Sequence, residues 1–204
     1  MRRTKEDALL TRGKLLDTAE LLFSNQGVAR TSLQDIAHAA GLTRGAIYWH
    51  FADKADLFNA MMERATMPME EALKDLTEHP GKHPLRQVRD AMVGALKLIA
   101  HDERTRRVME IARRKAEFVD DMSRARDRHL EVHLRCRAHV EGAIRQAQRQ
   151  GLVKGKPGAR AVAVGIMAIV NGLIEMWMLD ATLFPLVKAG EQALDTYLAG
   201  LQAP

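Results

Sequence analysis

The chain has 204 residues, 47% of them hydrophobic, enough to bury the core of one or two domains and enough to exclude a disordered protein. Aromatics make up only 4%, and Ala, Leu, Glu, Arg and Met dominate, a composition that favours helices and predicts an all-α protein. The net charge of +5 is compatible with a nucleic-acid partner without requiring one, and a single cysteine, Cys136, excludes an internal disulfide framework and fits a reducing compartment.

The N-terminal stretch MRRTKEDALLTRGK is charged and lacks the apolar core of a signal peptide. Arg2, Arg3 and Lys5 form a basic terminus that either frays or follows a phosphate backbone. From Thr11 to Ser24, apolar residues recur at Leu15, Leu16, Ala19, Leu22 and Phe23, the spacing of an amphipathic helix, and Asn25-Gln26-Gly27 stops it.

Thr31 to Lys54 then reads TSLQDIAHAAGLTRGAIYWHFADK, the pattern of a helix-turn-helix. Leu33, Ile36, Ala37 and Ala40 share one helical face, and Ile47 and Phe51 supply a matching stripe after the turn. Gly41 sits where the first helix must reverse, a position that calls for a left-handed backbone. Either Thr31 or Ser32 can cap the first helix, with Asp35 at capping-box spacing, and such a cap offers N–H donors to a phosphate. Thr43 is the N-cap candidate of the second. In that second helix Arg44 carries the planar fork that bonds guanine O6 and N7. Gly45 and Ala46 are small enough for close approach to a groove, and Lys54 falls within reach of the backbone. Phe51 is expected in the core, and Trp49 is left unassigned.

The pattern T-S-L-x-D-I-A-x-x-A-G-L-T-R-G-A-I-Y-W-H-F-x-x-K resembles the DNA-binding core of the TetR family of bacterial repressors, and T-R-G-A-I-Y-W-H-F resembles its AcrR-type multidrug-efflux branch. The match is dense from about Leu9 to Leu57. The resemblance implies DNA contacts from Tyr48 and His50 beside those from Thr31, Ser32, Thr43, Arg44, Gly45 and Lys54. Charge alone does not locate this head, since residues 1 to 54 carry eight Lys/Arg against six Asp/Glu.

Asp53 caps a predicted long helix from Lys54 to Leu76 that joins the head to the rest, and Pro68 inside it should bend or break it near Met67. The loop His79 to Pro84 precedes a helix from Pro84 to Ala100 with Val88, Met92, Ala95, Leu96 and Ile99 on one face. His101 to Lys115 reads as a solvated arginine-rich face around a short apolar stripe. Phe118 to Gln150 is a long polar helix closed by Gly151. Its His129-x-Glu131-x-His133 lacks the spacing of a zinc hydrolase, so no metal or other cofactor is expected. Lys154 to Gly158 is a loop without phosphate-loop spacing.

Ala159 to Leu179 is apolar on almost every side, and a helix of that kind must be covered all round. The run from Ala161 to Val170, interrupted by Gly165 and ended by Asn171, is too short to span a bilayer. A second copy of the chain is the simplest cover, with a final helix from Ala189 to Leu201 completing an intersubunit four-helix bundle. The TetR resemblance implies the same homodimer.

The expected architecture is therefore an N-terminal helix-turn-helix domain, residues 1–53, and a ligand-binding and dimerisation domain, residues 54–204, with about nine helices in all. All methionines but Met1 lie after Phe51, and methionine suits adaptable apolar surfaces. Met92, Leu96, Cys136, Val140 and Ile169 are the candidates to line an inducer pocket, with Asn171 or Glu175 as the polar contact. The chain carries no G-x-S-x-G, zinc or dinucleotide motif, which argues against an enzyme. The function expected is a cytoplasmic, dimeric repressor, of a multidrug efflux operon, that binds an inverted-repeat DNA operator and is released by a hydrophobic small molecule. The alternative is an architectural DNA-binding protein with no inducer.

Overall fold

The structure is a computed structural model that describes residues 5–117, 120–153 and 158–201. Arg2, Arg3, Phe118 and the loop residues 154–157 lie outside the described residues. Among those described there are nine α-helices and no strand. They are α1 Lys5–Gln26, α2 Leu33–Ala39, α3 Arg44–His50, α4 Lys54–Glu78, α5 Pro84–His101, α6 Glu103–Glu110, α7 Ser123–Arg149, α8 Ala159–Leu179 and α9 Leu186–Ala199. A π-helical turn, Ile111–Lys115, follows α6, and a 3-10 turn, Asp120–Met122, precedes α7. The residues cluster into two compact units, Met1–Thr66 with Arg104–Leu130, and Met67–Glu103 with Glu131–Pro204.

In the first unit α1 presents Leu15, Leu16, Ala19 and Phe23 to the core and stops at Gly27, whose φ of 84° lies in the left-handed region. The Gly27 N–H still reaches the Phe23 carbonyl at 3.0 Å, closing the last turn. The π-helical turn docks on this corner. The Val28 N–H donates to the Lys115 carbonyl at 3.0 Å, and the Lys115 ammonium donates to the Ser24 carbonyl. Ile111 and Ala112 thereby join the same core as Ile36, Ile47, Phe51 and Phe58. Burial of each such large apolar side chain contributes roughly 1.5–3 kcal/mol.

The reversal between α2 and α3 forms as the sequence predicts. Gly41 has φ 64°, its N–H bonds the His38 carbonyl and the Leu42 N–H bonds the Ala37 carbonyl, both at 2.9 Å. These two bonds are the Schellman arrangement that satisfies the last carbonyls of a helix.

Helix α4 runs unbroken through Pro68 to Glu78, so of the bend or break expected near Met67 the break does not occur. Proline removes one i→i−4 donor, here the one facing Arg64, but a helix of 25 residues keeps enough neighbouring bonds to continue. The arginine-rich segment folds as α6 and the π-turn, with Arg104, Arg106 and Arg114 exposed around buried Val108, Ile111 and Ala112, the solvated face and short apolar stripe that the sequence predicts.

The second unit is built on α5, α8 and α9. Helix α5 starts with Pro84 in its first turn and buries Val88, Met92, Val93, Leu96 and Ile99. Helix α9 lies against both others, and two glycines allow the approach: a Cβ on Gly190 would sit 2.1 Å from Leu96 Cδ1, and one on Gly165 would sit 2.3 Å from the Tyr197 hydroxyl. Arg89 of α5 grips Asp195 of α9 with two nitrogens, one of them at 2.9 Å. The C-terminus of α7 closes on Gly151, φ 71°, with the same pair of bonds as at Gly41.

Helix α8 has the predicted bounds, Ala159–Leu179, but not the predicted burial. Val162, Ala163, Ile166, Val170, Ile174 and Trp177 are buried, whereas Ala161, Val164, Ala168, Met176 and Leu179 are exposed. Gly165 and Asn171 do not interrupt it. By length and composition alone it is long and apolar enough to cross a membrane, contrary to the sequence expectation.

Candidate nucleic-acid interface

Ser32, not Thr31, caps α2. The Asp35 N–H donates to the Ser32 hydroxyl at 3.1 Å and the Ser32 N–H returns a bond to the Asp35 carboxylate at 2.9 Å, a complete capping box with Asp in place of Glu. Hydrogen bonds from the Ser32 hydroxyl and then its backbone hold the Asp35 carboxyl below the usual carboxylate range. Thr31 is 1% exposed, and its hydroxyl donates to the Gly27 carbonyl at 2.8 Å and accepts from Gln26 at 3.1 Å. Its side chain fixes the α1–α2 corner and does not face outward.

Thr43 caps α3, accepting from the Ala46 N–H at 3.2 Å. Ile47 and Phe51 are buried as expected, which turns the opposite side of α3 outward. On that side Thr43, Arg44 and Gly45 are exposed, and among the described residues, its own helix backbone and chain neighbours aside, a Gly45 Cβ would meet just the Thr43 hydroxyl, at 4.0 Å. The Arg44 guanidinium stands 5.5 Å from the centre of the Tyr48 ring, a cation–π contact that pre-orients the fork. Tyr48 is half exposed and His50 is partly buried against the edge of Trp49, with ring centres 4.6 Å apart.

Trp49 is the residue that sequence reasoning left unassigned. It is 71% exposed and lines a surface recess with Gly41, Leu42, Thr43, Gly45 and Ala46. A signal was present: Trp49 follows Gly45 by one helical turn, so the two share the outward face.

Lys54 is engaged within the first unit. Its side chain is 13% exposed, with the ammonium donating to the Val28 carbonyl at 3.2 Å and pairing with Asp121 at 3.1 Å. Beside it Asp53 caps α4, accepting from the Asp56 N–H at 2.8 Å, and pairs with Arg124 at 2.6 Å. Lys54, Asp121, Ser32 and Tyr48 line a second recess.

The residues expected around an inducer are all in the second unit. Met92, Leu96 and Val140 are buried, Cys136, Ile169 and Asn171 half-buried, and Glu175 exposed. Asn171 donates to the Met167 carbonyl at 2.8 Å. Burial, with the Glu70 charge adding to it, pushes the Cys136 thiol up to about 11, so it is a packed thiol and not a nucleophile. Among the described residues there is no cluster of three metal-ligating side chains.

A glycine-turned pair of short helices, the second capped and presenting a bare face with an oriented arginine, defines a helix-turn-helix DNA-binding protein. Comparison with known proteins carries this further. Residues 15–61 match the N-terminal model of bacterial regulatory proteins of the tetR family, and residues 83–203 match the C-terminal region of MAATS-type transcriptional repressors. The transcriptional regulator TtgR of Pseudomonas putida is 37% identical over 97% of this chain and 94% of its own. The crystal structure of NalD, secondary repressor of the MexAB-OprM multidrug efflux pump in Pseudomonas aeruginosa, superimposes with a TM-score of 0.87 at 32% identity, covering 97% of this chain and 98% of that one. A SmeT–triclosan complex gives 0.87 at 30% identity over 95% and 92% of the two chains. The chain belongs to the TetR family and is a DNA-binding transcriptional regulator, not an enzyme.

Proposed function

We propose that this protein represses a multidrug efflux operon, binding an inverted-repeat DNA operator as a homodimer in the cytoplasm and leaving it when a hydrophobic small molecule binds. Residues 1–53 serve as the reading head and residues 54–204 as the ligand-binding and dimerisation part. The observation that carries the reading is the outward face of α3, where Arg44 is oriented over Tyr48 beside the bare backbone of Gly45. Arg44 reads a base, and Ser32, Thr43, Tyr48 and His50 anchor the head to phosphates.

A single helix of seven residues touches few base pairs, so specificity calls for two heads on half-sites about 34–36 Å apart. The exposed stripe Ala161, Val164, Ala168, Met176 and Leu179 on α8 supplies the apolar surface for the second copy. NalD represses an efflux pump and SmeT binds triclosan, and the chain shares their length and fold, which supports the same class of target and effector here. Met92, Leu96, Cys136, Val140 and Ile169 line the effector site, with Asn171 or Glu175 as its polar contact.

The test is binding to DNA flanking its own gene, with and without a panel of apolar drugs, together with sedimentation of wild type and Val164→Glu. Sequence-specific binding by a dimer, released by at least one compound, is expected. Sequence-independent binding that no compound releases would make it an architectural protein, and a monomeric wild type would refute the α8 interface.

A further inference from the structure

We infer that Asp121 sets the DNA affinity of this protein by masking Lys54, competing with a DNA phosphate for the same ammonium group. The inference rests on the proposed DNA-binding face, because it concerns the recess that flanks α3. That recess is lined by residues of the α1–α2 corner, by Tyr48, by Ala52 to Lys54 and by Asp121.

Three carboxylates line or border it, and they are not equivalent. Asp35 is committed to the α2 capping box, and Asp53 caps α4 while pairing with Arg124. Asp121 is 64% exposed, and its ion pair among the described residues is with Lys54. Lys54 itself has little freedom: at 13% exposure, with the Val28 carbonyl at 3.2 Å, its ammonium is fixed at the floor of the recess. The lysine therefore stays in place while its countercharge can leave. A solvent-exposed carboxylate at 3.1 Å is a weakly held partner, and a DNA phosphate, which like the carboxylate spreads one charge over two oxygens, can take its place on the ammonium.

Masking has two consequences. In the free protein the positive charge of Lys54 is cancelled locally, which lowers attraction for DNA of any sequence. In the bound protein Asp121 gives up Lys54 to the phosphate, while the Arg124–Asp53 pair and buried Met122 keep the start of α7 on α4.

The experiment uses the full chain and two probes: a duplex recovered from a random pool by the wild-type protein, and a duplex of unrelated sequence. Asp121→Asn should bind both duplexes about three- to tenfold more tightly at low salt, and the slope of log K against log salt should steepen by about 0.9, one more phosphate neutralised. In a Lys54→Met background, Asp121→Asn should change affinity by less than about twofold. Circular dichroism melts confirm that each variant is folded. Unchanged or weaker binding by Asp121→Asn would overturn the inference and make Asp121 a scaffold contact that positions Lys54. A gain that persists in full without Lys54 would also overturn it, showing simple repulsion of phosphate. Failure of the wild type to recover any duplex would instead defeat the function proposed above.

Discussion

Glu20, only 2% exposed, accepts a hydrogen bond from the Arg64 guanidinium, and the two residues tie the middle of α1 to α4. Asp17 joins them, 2.9 Å from Arg64 and 3.1 Å from Arg104 of α6, so three helices of the first unit meet in one charge network. A carboxylate so deeply buried is tolerable only while its cations stay. Arg64→Met should leave Glu20 with Arg104 alone, at 3.8 Å, and cost on the order of 3 kcal/mol. Urea unfolding monitored by circular dichroism measures this. A loss below about 1 kcal/mol would mean that Glu20 finds water or another partner instead.

Arg44 is oriented by Tyr48 and makes no ion pair with an acidic residue of its own helix, which contains none. Removing the guanidinium with Arg44→Ala should cost about 1–3 kcal/mol of discrimination between the selected duplex and one mutated at a half-site guanine. Fluorescence anisotropy on the two duplexes decides it. An equal loss on both would reduce Arg44 to a phosphate contact.

Gly165 is required by contact, because a Cβ there meets not only the Tyr197 hydroxyl but also ring carbon Cζ at 2.8 Å. A tyrosine ring cannot bend aside as an aliphatic tip can, so Gly165→Ala should destabilise the α8–α9 pair by about 1–3 kcal/mol. Pairing it with Tyr197→Ala should remove most of the added penalty in a double-mutant cycle of thermal unfolding. Additive losses would show that the clash is relieved elsewhere.

His139 of α7 bonds the Thr77 hydroxyl at 2.7 Å. Burial, with the Arg135 charge adding to it, holds the ring below its ordinary value, so it is neutral in the fold. As pH falls below about 6.5 the unfolded chain takes up this proton first, and the stability contributed above that pH is lost as pH falls through the lowered folded value. Melting temperatures between pH 7.5 and 5 should fall more steeply for the wild type than for His139→Asn. Parallel profiles would place the acid sensitivity elsewhere.

How far the candidate site was legible in the sequence depends on how local each feature is. The Gly41 turn, the Thr43 cap, the buried pair Ile47 and Phe51 and the bounds of α8 are all short-range matters of spacing and backbone freedom, and each appears where the sequence puts it. Such features need only a few neighbouring residues, so the chain itself determines the all-helical build and the helix-turn-helix.

What tertiary structure decided is the partnership of charges and the fate of apolar faces. Nothing near Lys54 in the sequence points to Asp121, nothing near Glu20 points to Arg64, and nothing about Thr31 shows that its hydroxyl turns inward to Gly27. An ion pair forms wherever folding brings two charges together, and their energy depends on local exposure, a property of the packed chain. Likewise the composition of α8 says that it must be covered, while only the packed unit shows that α9 covers one side of it and leaves Val164, Met176 and Leu179 open.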